Sequence, residues 1–176
     1  MTEARTLVLD GSLGFGIVAI VEVVKGRSVC VAEDLHVEEP ILKRISRLIP
    51  DRAELAALTE VVVGAGPGSY SGLRVAASAA VGIAAALEIP LHESASDRAI
   101  WQAVQRPYSI PLGARESLEV TEVGASIVAR DAASAPVTPE ESRGRVACAI
   151  VEAAGAEVAH VTLRYPAPAR GVEGGR

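Results

Sequence analysis

One stretch decides the fold: Val61-Val62-Val63-Gly64-Ala65-Gly66-Pro67-Gly68-Ser69-Tyr70-Ser71-Gly72-Leu73-Arg74. Its three valines form an uninterrupted β-branched run, which is typical of a strand buried on both faces of a parallel sheet. The glycines and the proline that follow permit a tight turn. Residues 75–87, rich in Ala, Val and Ile, then predict a helix that ends at Glu88-Ile89-Pro90. The stretch therefore predicts a buried strand, a glycine-rich corner and a helix.

Three β-like runs precede this unit, at residues 6–10, 16–21 and 28–32. Only short turn segments separate them, so they predict a three-stranded meander. An amphipathic helix is predicted at residues 41–49, because its apolar side chains recur at helical spacing after Pro40. A short helical stretch follows at residues 54–58.

The segments that follow the central helix continue the alternation of strands and helices. Leu91-His92 begins a strand, and Ser94-Ala95-Ser96-Asp97 predicts the N-cap and capping box of a helix that reaches residue 104. Beyond it, strands are predicted at 108–111, 118–123, 126–129 and 158–163. A helix is predicted at 139–154, and residues 167–176 have the composition of a frayed tail. We therefore predict a first domain at residues 1–104 and a reduced second domain with a C-terminal tail at residues 105–176.

Composition limits the classes of function. The chain has 176 residues, 49% of them hydrophobic, with 17 Lys and Arg against 22 Asp and Glu and only 3% aromatic residues. A net charge of -5 excludes a stand-alone nucleic-acid clamp, and the scarcity of aromatic rings excludes base-stacking platforms.

Cys30 and Cys148 lie in separate apolar runs, which predicts reduced core residues. The sequence shows no signal peptide or apolar stretch of the roughly 20 residues that a membrane helix needs, so we expect a cytoplasmic protein.

The glycine-rich corner has two chemical interpretations. Its backbone N–H groups at a helix N-terminus can hold an anion, or the corner can simply be a close-packed turn against another backbone. It lacks the Gly-Lys-Ser/Thr ending of a P-loop and the Rossmann spacing of glycines. Ser69 and Ser71 lie in no nucleophile elbow, and N-capping of the helix is the simpler role for Ser71.

The nonapeptide at residues 66–74 resembles the GPGS-[FY]-[ST]-GLR signature of the TsaB (YeaZ) family. The flanking sequence agrees: residues 80–91 are similar to the family's AKGLA and G-x-P-L stretches, and residues 8–12 stand where the family has an Ile-Asp-Thr-Ser loop. His36 with residues 40–45 resembles the family's His-then-LLPxI helix. Residues 161–166 are similar to its terminal P-x-YLR-x-P. The resemblance covers residues 6–104 and is thin beyond them.

The resemblance implies an α/β protein with the actin/Hsp70-like ATPase (ribonuclease H-like) fold, built on a mixed five-stranded sheet. It also implies a non-catalytic subunit that binds a TsaD-like protein, with TsaE as a further partner, in the complex that transfers threonylcarbamoyl to adenosine 37 of tRNA. The chain would form a homodimer without that partner, reach tRNA only through the complex, and contact no membrane. It would bind no cofactor tightly, with ATP or ADP held only at a partner interface.

The resemblance also implies where the partner binds. The predicted interface comprises the motif and residues of the two flanking helices: Gly66, Pro67, Gly68, Ser69, Tyr70, Ser71, Gly72, Leu73, Arg74, Ala76, Ala80, Leu42 and Ile45.

The candidate cofactor residues are Asp10, an acid at a strand end that can face a magnesium-bound nucleotide, and Ser12, which can bind a phosphate. The alternative for Asp10 is an Asx turn with the backbone that follows it. No catalytic residue is predicted. No metal site is predicted either, because the three histidines, at positions 36, 92 and 160, are far apart and TsaD's H-x-x-x-H helix has no counterpart. That pattern argues against a peptidase.

The sequence departs from the family pattern at three polar positions. Gly11 replaces a Thr, Val81 replaces a Lys, and Gly113 replaces the Asp of an Asp-Ala-Arg turn. Two alternatives to the scaffold therefore stay open: a small ATP-binding kinase or ATPase of the same superfold, and a self-associating homodimeric remnant.

Overall fold

A computed structural model of the chain describes residues 4–112 and 114–166. A five-stranded mixed sheet lies at its centre, in the order β3-β2-β1-β4-β5, and a three-stranded antiparallel sheet follows in the order β6-β7-β8. The strands are β1 (Arg5–Asp10), β2 (Ile17–Val24), β3 (Arg27–Glu33), β4 (Glu60–Gly64), β5 (Leu91–Ser94), β6 (Tyr108–Pro111), β7 (Glu116–Thr121) and β8 (Gly124–Ala129). The helices are α1 (Ile41–Leu48), α2 (Arg52–Ala56), α3 (Tyr70–Leu87), α4 (Ser96–Val104), α5 (Pro139–Ser142) and α6 (Arg145–Glu152), with a 3-10 turn at Arg130–Ala132.

The central sheet confirms the predicted meander and the buried parallel strand. β1 pairs antiparallel with β2 and parallel with β4, and β4 pairs parallel with β5. Because neighbouring side chains alternate between faces, Leu7 and Leu9 of β1 face one core and Val8 faces the other. The sheet is therefore buried on both faces, with α1 and α3 on the first face and α4 and α6 on the second.

Helix α3 begins five residues before the predicted start, at Tyr70 instead of residue 75. Ser69 and not Ser71 is its N-cap, and its hydroxyl accepts a hydrogen bond from the Gly72 N–H. The first turn of the helix is thus inside the motif. In the described part of the chain, α3 is also apolar enough over its 18 residues to cross a membrane by length and composition alone, a test that core helices pass too. The apolar stretch is longer than expected, and here it packs on β1 and β4.

Two helix ends differ from their predictions. Helix α4 is capped by Ala95 without a side-chain hydrogen bond, because Ser94, the N-cap that the predicted capping box requires, is the last residue of β5. The Ser96 hydroxyl, in the first turn of α4, accepts from the Gly66 N–H. The predicted helix at 139–154 is broken into α5 and α6, since Gly144 takes a positive φ of 67° between them. A local pattern of apolar residues predicts neither the start of α4 nor the break at Gly144.

The C-terminal segment is extended but does not form the predicted strand at 158–163. It follows the outer edge of β5, where the Val158 N–H donates to Leu91 O and the Thr162 N–H donates to the Glu93 carboxylate. The predicted tail at 167–176 lies outside the described residues.

The domain boundary at residue 104 stays a prediction. Helix α6, from the second half of the chain, packs on β1, β2, β3 and β4 of the first sheet and on α4. Apolar side chains of both halves share one core cluster.

The two cysteines are free, as predicted, but half-buried instead of fully buried. Cys30 lies on β3 and Cys148 on α6. Burial, reinforced by the nearby charge of Glu33, raises the pKa of the Cys30 thiol to about 12. Both thiols are consequently protonated and poor nucleophiles at neutral pH, because burial also raises the pKa of Cys148.

Candidate functional site

The glycine-rich corner after β4 is held against the loop that follows β1. A Cβ added to Gly68 would stand 2.4 Å from Ser12 Cα, and one added to Gly72 would stand 2.3 Å from Gly11 O. A Cβ on Gly11 would reach Gly72 O at 2.1 Å in turn. The two backbones are therefore in direct contact, and this arrangement matches the close-packed alternative that the glycine pattern left open. In this structure the contact leaves no room for a side chain at position 11, where the family has Thr.

The third motif glycine contacts the C-terminal segment. A Cβ on Gly66 would stand 2.5 Å from Arg164 O, and the Arg164 N–H donates to Ala65 O at 2.8 Å. The Tyr165 ring lies 4.8 Å from the Tyr70 ring, centroid to centroid. Sequence analysis missed this contact, although the resemblance of residues 161–166 to the family's terminal pattern was a signal for it.

Asp10 and Ser12 come together beneath the corner, but both are 0% exposed. The Ser12 N–H donates to Asp10 Oδ1 at 2.6 Å, which is the predicted Asx turn. The other carboxylate oxygen occupies the space left by the missing side chain of Gly64, where a Cβ would lie 1.8 Å from it. The two residues do not reach the surface in this structure, and their role in cofactor binding stays a prediction.

Burial raises the pKa of Asp10, against the hydrogen bonds from Ser12 and Ser96 that lower it. A carboxyl group with a raised pKa stabilises the fold below its unfolded pKa, and that contribution is lost as the pH rises through the folded pKa. Asn keeps the acceptor for the Ser12 N–H without a charge. We therefore expect Asp10→Asn to unfold at an equal or higher temperature than the wild type at pH 7, with the difference shrinking toward pH 4. Thermal unfolding across this range measures it, and a strong destabilisation at pH 7 would show that the charged form is needed.

The predicted interface residues separate into a buried group and an exposed group. Ala76 and Ala80 are buried against the sheet, and Ile45 and Leu73 also belong to the core. These four side chains pack the helices onto the sheet and are not part of the outer surface. Leu42, in contrast, is 62% exposed on α1.

The outer face of α3 carries two apolar residues that the sequence analysis did not assign to the interface. Val75 and Val81 are 47% and 39% exposed, and a Cβ added to Gly82 would meet nothing within 4 Å. The exposed motif residues Tyr70 and Arg74 continue this face, with the Arg74 guanidinium 5.2 Å from the Tyr70 ring. We call the surface formed by Leu42, Tyr70, Arg74, Val75 and Val81 the helical surface.

A buried ion pair fixes α1 to the body of the domain. Arg44 is 1% exposed, and it donates to Asp34 Oδ1 at 3.1 Å, to Asp34 O at 2.6 Å and to Phe15 O at 2.8 Å. Burial opposes the charge on Asp34, but hydrogen bonds from Arg47, the His36 N–H and Arg44 outweigh it and lower the Asp34 pKa. Sequence analysis missed this role of Arg44, because a helical period cannot distinguish a solvated arginine from a buried one.

A cleft of about 270 Å³ lies between α1, the corner and the loop after β1. Among its walls are Gly11, Phe15, Ile41, Ser71 and Val75. The cleft borders the helical surface at Val75, so a protein bound to that surface would also cover the cleft.

Comparison with known proteins agrees with the motif and the fold. A family model described as TsaD, tRNA N6-adenosine threonylcarbamoyltransferase, matches residues 31–113. No curated protein sequence matches the chain significantly.

Two solved structures from Pseudomonas aeruginosa are similar. One is the crystal structure of an uncharacterized protein with similarity to peptidase YeaZ, with a TM-score of 0.51 and 17% identity over 76% of this chain and 70% of that chain. The other is YeaZ, with a TM-score of 0.48 and 20% identity over the same shares of the two chains. The first similarity shows that the fold is the actin-like ATPase fold of YeaZ structures. The motif at residues 66–74 lies within the family-model match, and the chain is thus similar to the TsaD family in sequence and to YeaZ structures in fold.

Proposed function

We propose that the chain is a non-catalytic scaffold subunit that binds a TsaD-like protein through the helical surface. In this way it supports threonylcarbamoyl transfer to adenosine 37 of tRNA. The similarity to TsaD and YeaZ supports a role in this tRNA modification. The observation that carries the finer proposal is the exposed apolar face of α1 and α3 directly beside the motif.

The helical surface has the chemistry of a protein interface. Its core is apolar. Tyr70 and Arg74 belong to residue types that are enriched where the binding energy of protein interfaces concentrates. Gly82 leaves open space on the same helix, so a partner helix can approach α3 closely. Helix α1 contacts α3, and Leu42 therefore extends the same patch.

The charge of the chain favours action through a partner. A net charge of -5 opposes direct binding to tRNA phosphates, so the partner must supply the basic surface. The TsaD-like partner would also supply the metal and the reacting groups, since no cluster of three or more His, Cys, Asp or Glu that could hold a metal occurs among the described residues. TsaE is a second candidate partner, and the cytoplasm is the compartment in which these proteins would meet.

The kinase or ATPase alternative is less well supported. It needs Asp10 to reach a nucleotide-bound magnesium ion, whereas Asp10 and Ser12 are fully buried under the corner. The scaffold proposal does not have this requirement, because ATP or ADP bound at the interface with a partner need not contact these two side chains. Titration calorimetry with ATP should accordingly show no binding to the chain alone.

The helical surface can be tested with two matched substitutions of exposed valines. We expect Val81→Arg to raise the Kd of the complex with the TsaD-like protein of the same organism by at least about tenfold, because an arginine at the centre of an apolar interface is left unpaired. Val29→Arg, on β3 and equally exposed, should leave the Kd unchanged. Mass measurement of the mixtures at micromolar concentration gives the result.

Thermal unfolding of both variants controls for folding, and no large change is expected since both side chains face solvent. Absence of a wild-type complex would contradict the scaffold proposal. Equal weakening by both substitutions would contradict the location of the interface. A wild-type homodimer that Val81→Arg breaks, with no complex formed, would favour the self-associating remnant.

A further inference from the structure

The outer edge of β8 differs from the other free sheet edges of the described residues. β3 carries Arg27 and Glu33 at its ends and has a register shift opposite β2. The C-terminal segment covers the edge of β5, and Pro136 forms a bridge with Ser109 at the edge of β6. Charges, irregular registers and covering segments are the devices by which proteins keep edge strands from pairing.

β8 has none of these devices. Its six residues, Gly-Ala-Ser-Ile-Val-Ala, contain no charge and no proline, and its pairing with β7 is regular throughout. In the described part of the chain, no strand pairs with its other edge. A regular, uncharged edge strand of this length is a template for another strand.

On one face of β8, exposed apolar side chains continue a row of buried core residues from β7. Ile127 is opposite Leu118, and Ala125 is opposite Val120, both buried residues of the main core cluster. Cross-strand partners point to the same face of a sheet, so Ile127 lies on the core face, yet it is 43% exposed. Among residues 4–112 and 114–166, no strand lies beside this row of the core on its outer side.

We propose that β8 pairs antiparallel with β8 of a second copy of the chain and forms a continuous six-stranded sheet across a two-fold axis. With Ile127 opposite Ile127 of the other copy, Ala125 is opposite Ala129, and all contacts on the core face are apolar. The row Ala125, Ile127, Ala129 is thus complementary to itself, as a two-fold interface requires.

The charges at the two ends of the strand suit the same arrangement. Glu122 lies in the turn before β8, and Arg130 follows its last residue. Antiparallel pairing brings the Glu122 end of one copy beside the Arg130 end of the other. Parallel pairing would instead align like charges. The surface is separate from the helical surface, so this self-association is independent of the proposed partner.

Cysteine cross-linking tests both the contact and its register. Under mild oxidation with diamide, two thiols lose their hydrogens to the oxidant and form a disulfide. Ile127→Cys should give a covalent dimer at least about tenfold faster than Ala125→Cys, because residue 127 faces its own copy across the axis and residue 125 does not. The wild type, with its two half-buried thiols, is the background control.

The second measurement is the molecular mass of the full chain in solution. The protein concentration is raised to roughly 100 µM, so that a weak dimer is also detected. We expect a dimer that Ile127→Lys converts to monomer, and that Val29→Lys on the β3 edge and Val81→Arg leave intact. Unfolding temperatures close to that of the wild type show that the variants fold. A monomeric wild type, an Ile127→Lys dimer, or equal cross-linking at positions 125 and 127 would each overturn the proposal.

Discussion

Gly72→Ala is expected to destabilise the protein by about 2 to 3 kcal/mol, as overpacking of a close contact does. The added Cβ would lie 2.3 Å from Gly11 O and 2.6 Å from the Ser69 hydroxyl that caps α3. A backbone oxygen cannot move aside as the end of a flexible side chain can, so the corner and the loop after β1 must separate. The unfolding temperature should fall by roughly 4 to 12 °C for a chain of this size.

Gly82→Ala is the matched control within the same helix. Its added Cβ meets nothing within 4 Å, and alanine is favoured over glycine in a helix by up to about 1 kcal/mol. Thermal or denaturant unfolding of the two variants should give changes of opposite sign. Equal effects would contradict the assignment of the motif glycines to backbone contact.

Arg44→Met is expected to cost about 3 to 5 kcal/mol, the usual loss when one partner of a buried ion pair is removed. Asp34, which is 2% exposed, would keep its charge with the partly exposed Arg47 as its remaining arginine partner, and the backbone oxygens of Asp34 and Phe15 would lose their donor. Because Asp34 has a lowered pKa, its contribution to stability is present above its unfolded pKa and is lost as the pH falls through the folded pKa. The loss caused by Arg44→Met should therefore be largest near neutral pH.

Lys43→Met, one residue earlier, removes the same charge from an exposed position. Lys43 pairs with Glu39 at a spacing of four residues, an interaction worth at most about 0.5 kcal/mol. Urea unfolding at pH 7 compares the two variants. A small loss for Arg44→Met would contradict the role of Arg44 in fixing α1, and with it the rigidity of the helical surface.

The strands of the central sheet could be predicted from the sequence because each is a short apolar run between turn residues. Residues 61–63 are the clearest case: three β-branched residues bounded by glycine form the buried strand β4. The start of α3 could not be predicted in the same way. Its first turn contains Gly72, a residue of low helix propensity, and only the contact with Gly11 explains its presence there.

The side of each helix that is exposed could not be predicted from the sequence. Leu42 and Ile45 are both apolar residues of α1, and the helical period alone does not show that one is exposed and the other buried. Helix α3 has small or apolar residues on nearly every side, so its inner residues Ala76 and Ala80 could not be distinguished from the outer Val81. The packing of α6 on the first sheet depends on contacts between residues far apart in the chain, for which no local pattern gives a signal.

The most direct test of the scaffold function is the rate of threonylcarbamoyl transfer to adenosine 37 in tRNA. The TsaD-like protein and TsaE of the same organism would be assayed with ATP and threonylcarbamoyl donor, with and without this chain. The scaffold function predicts no transfer by the chain alone, a strong increase when it is added to the TsaD-like protein, and loss of that increase with Val81→Arg but not with Val29→Arg. An unchanged rate on addition of the wild-type chain would contradict it.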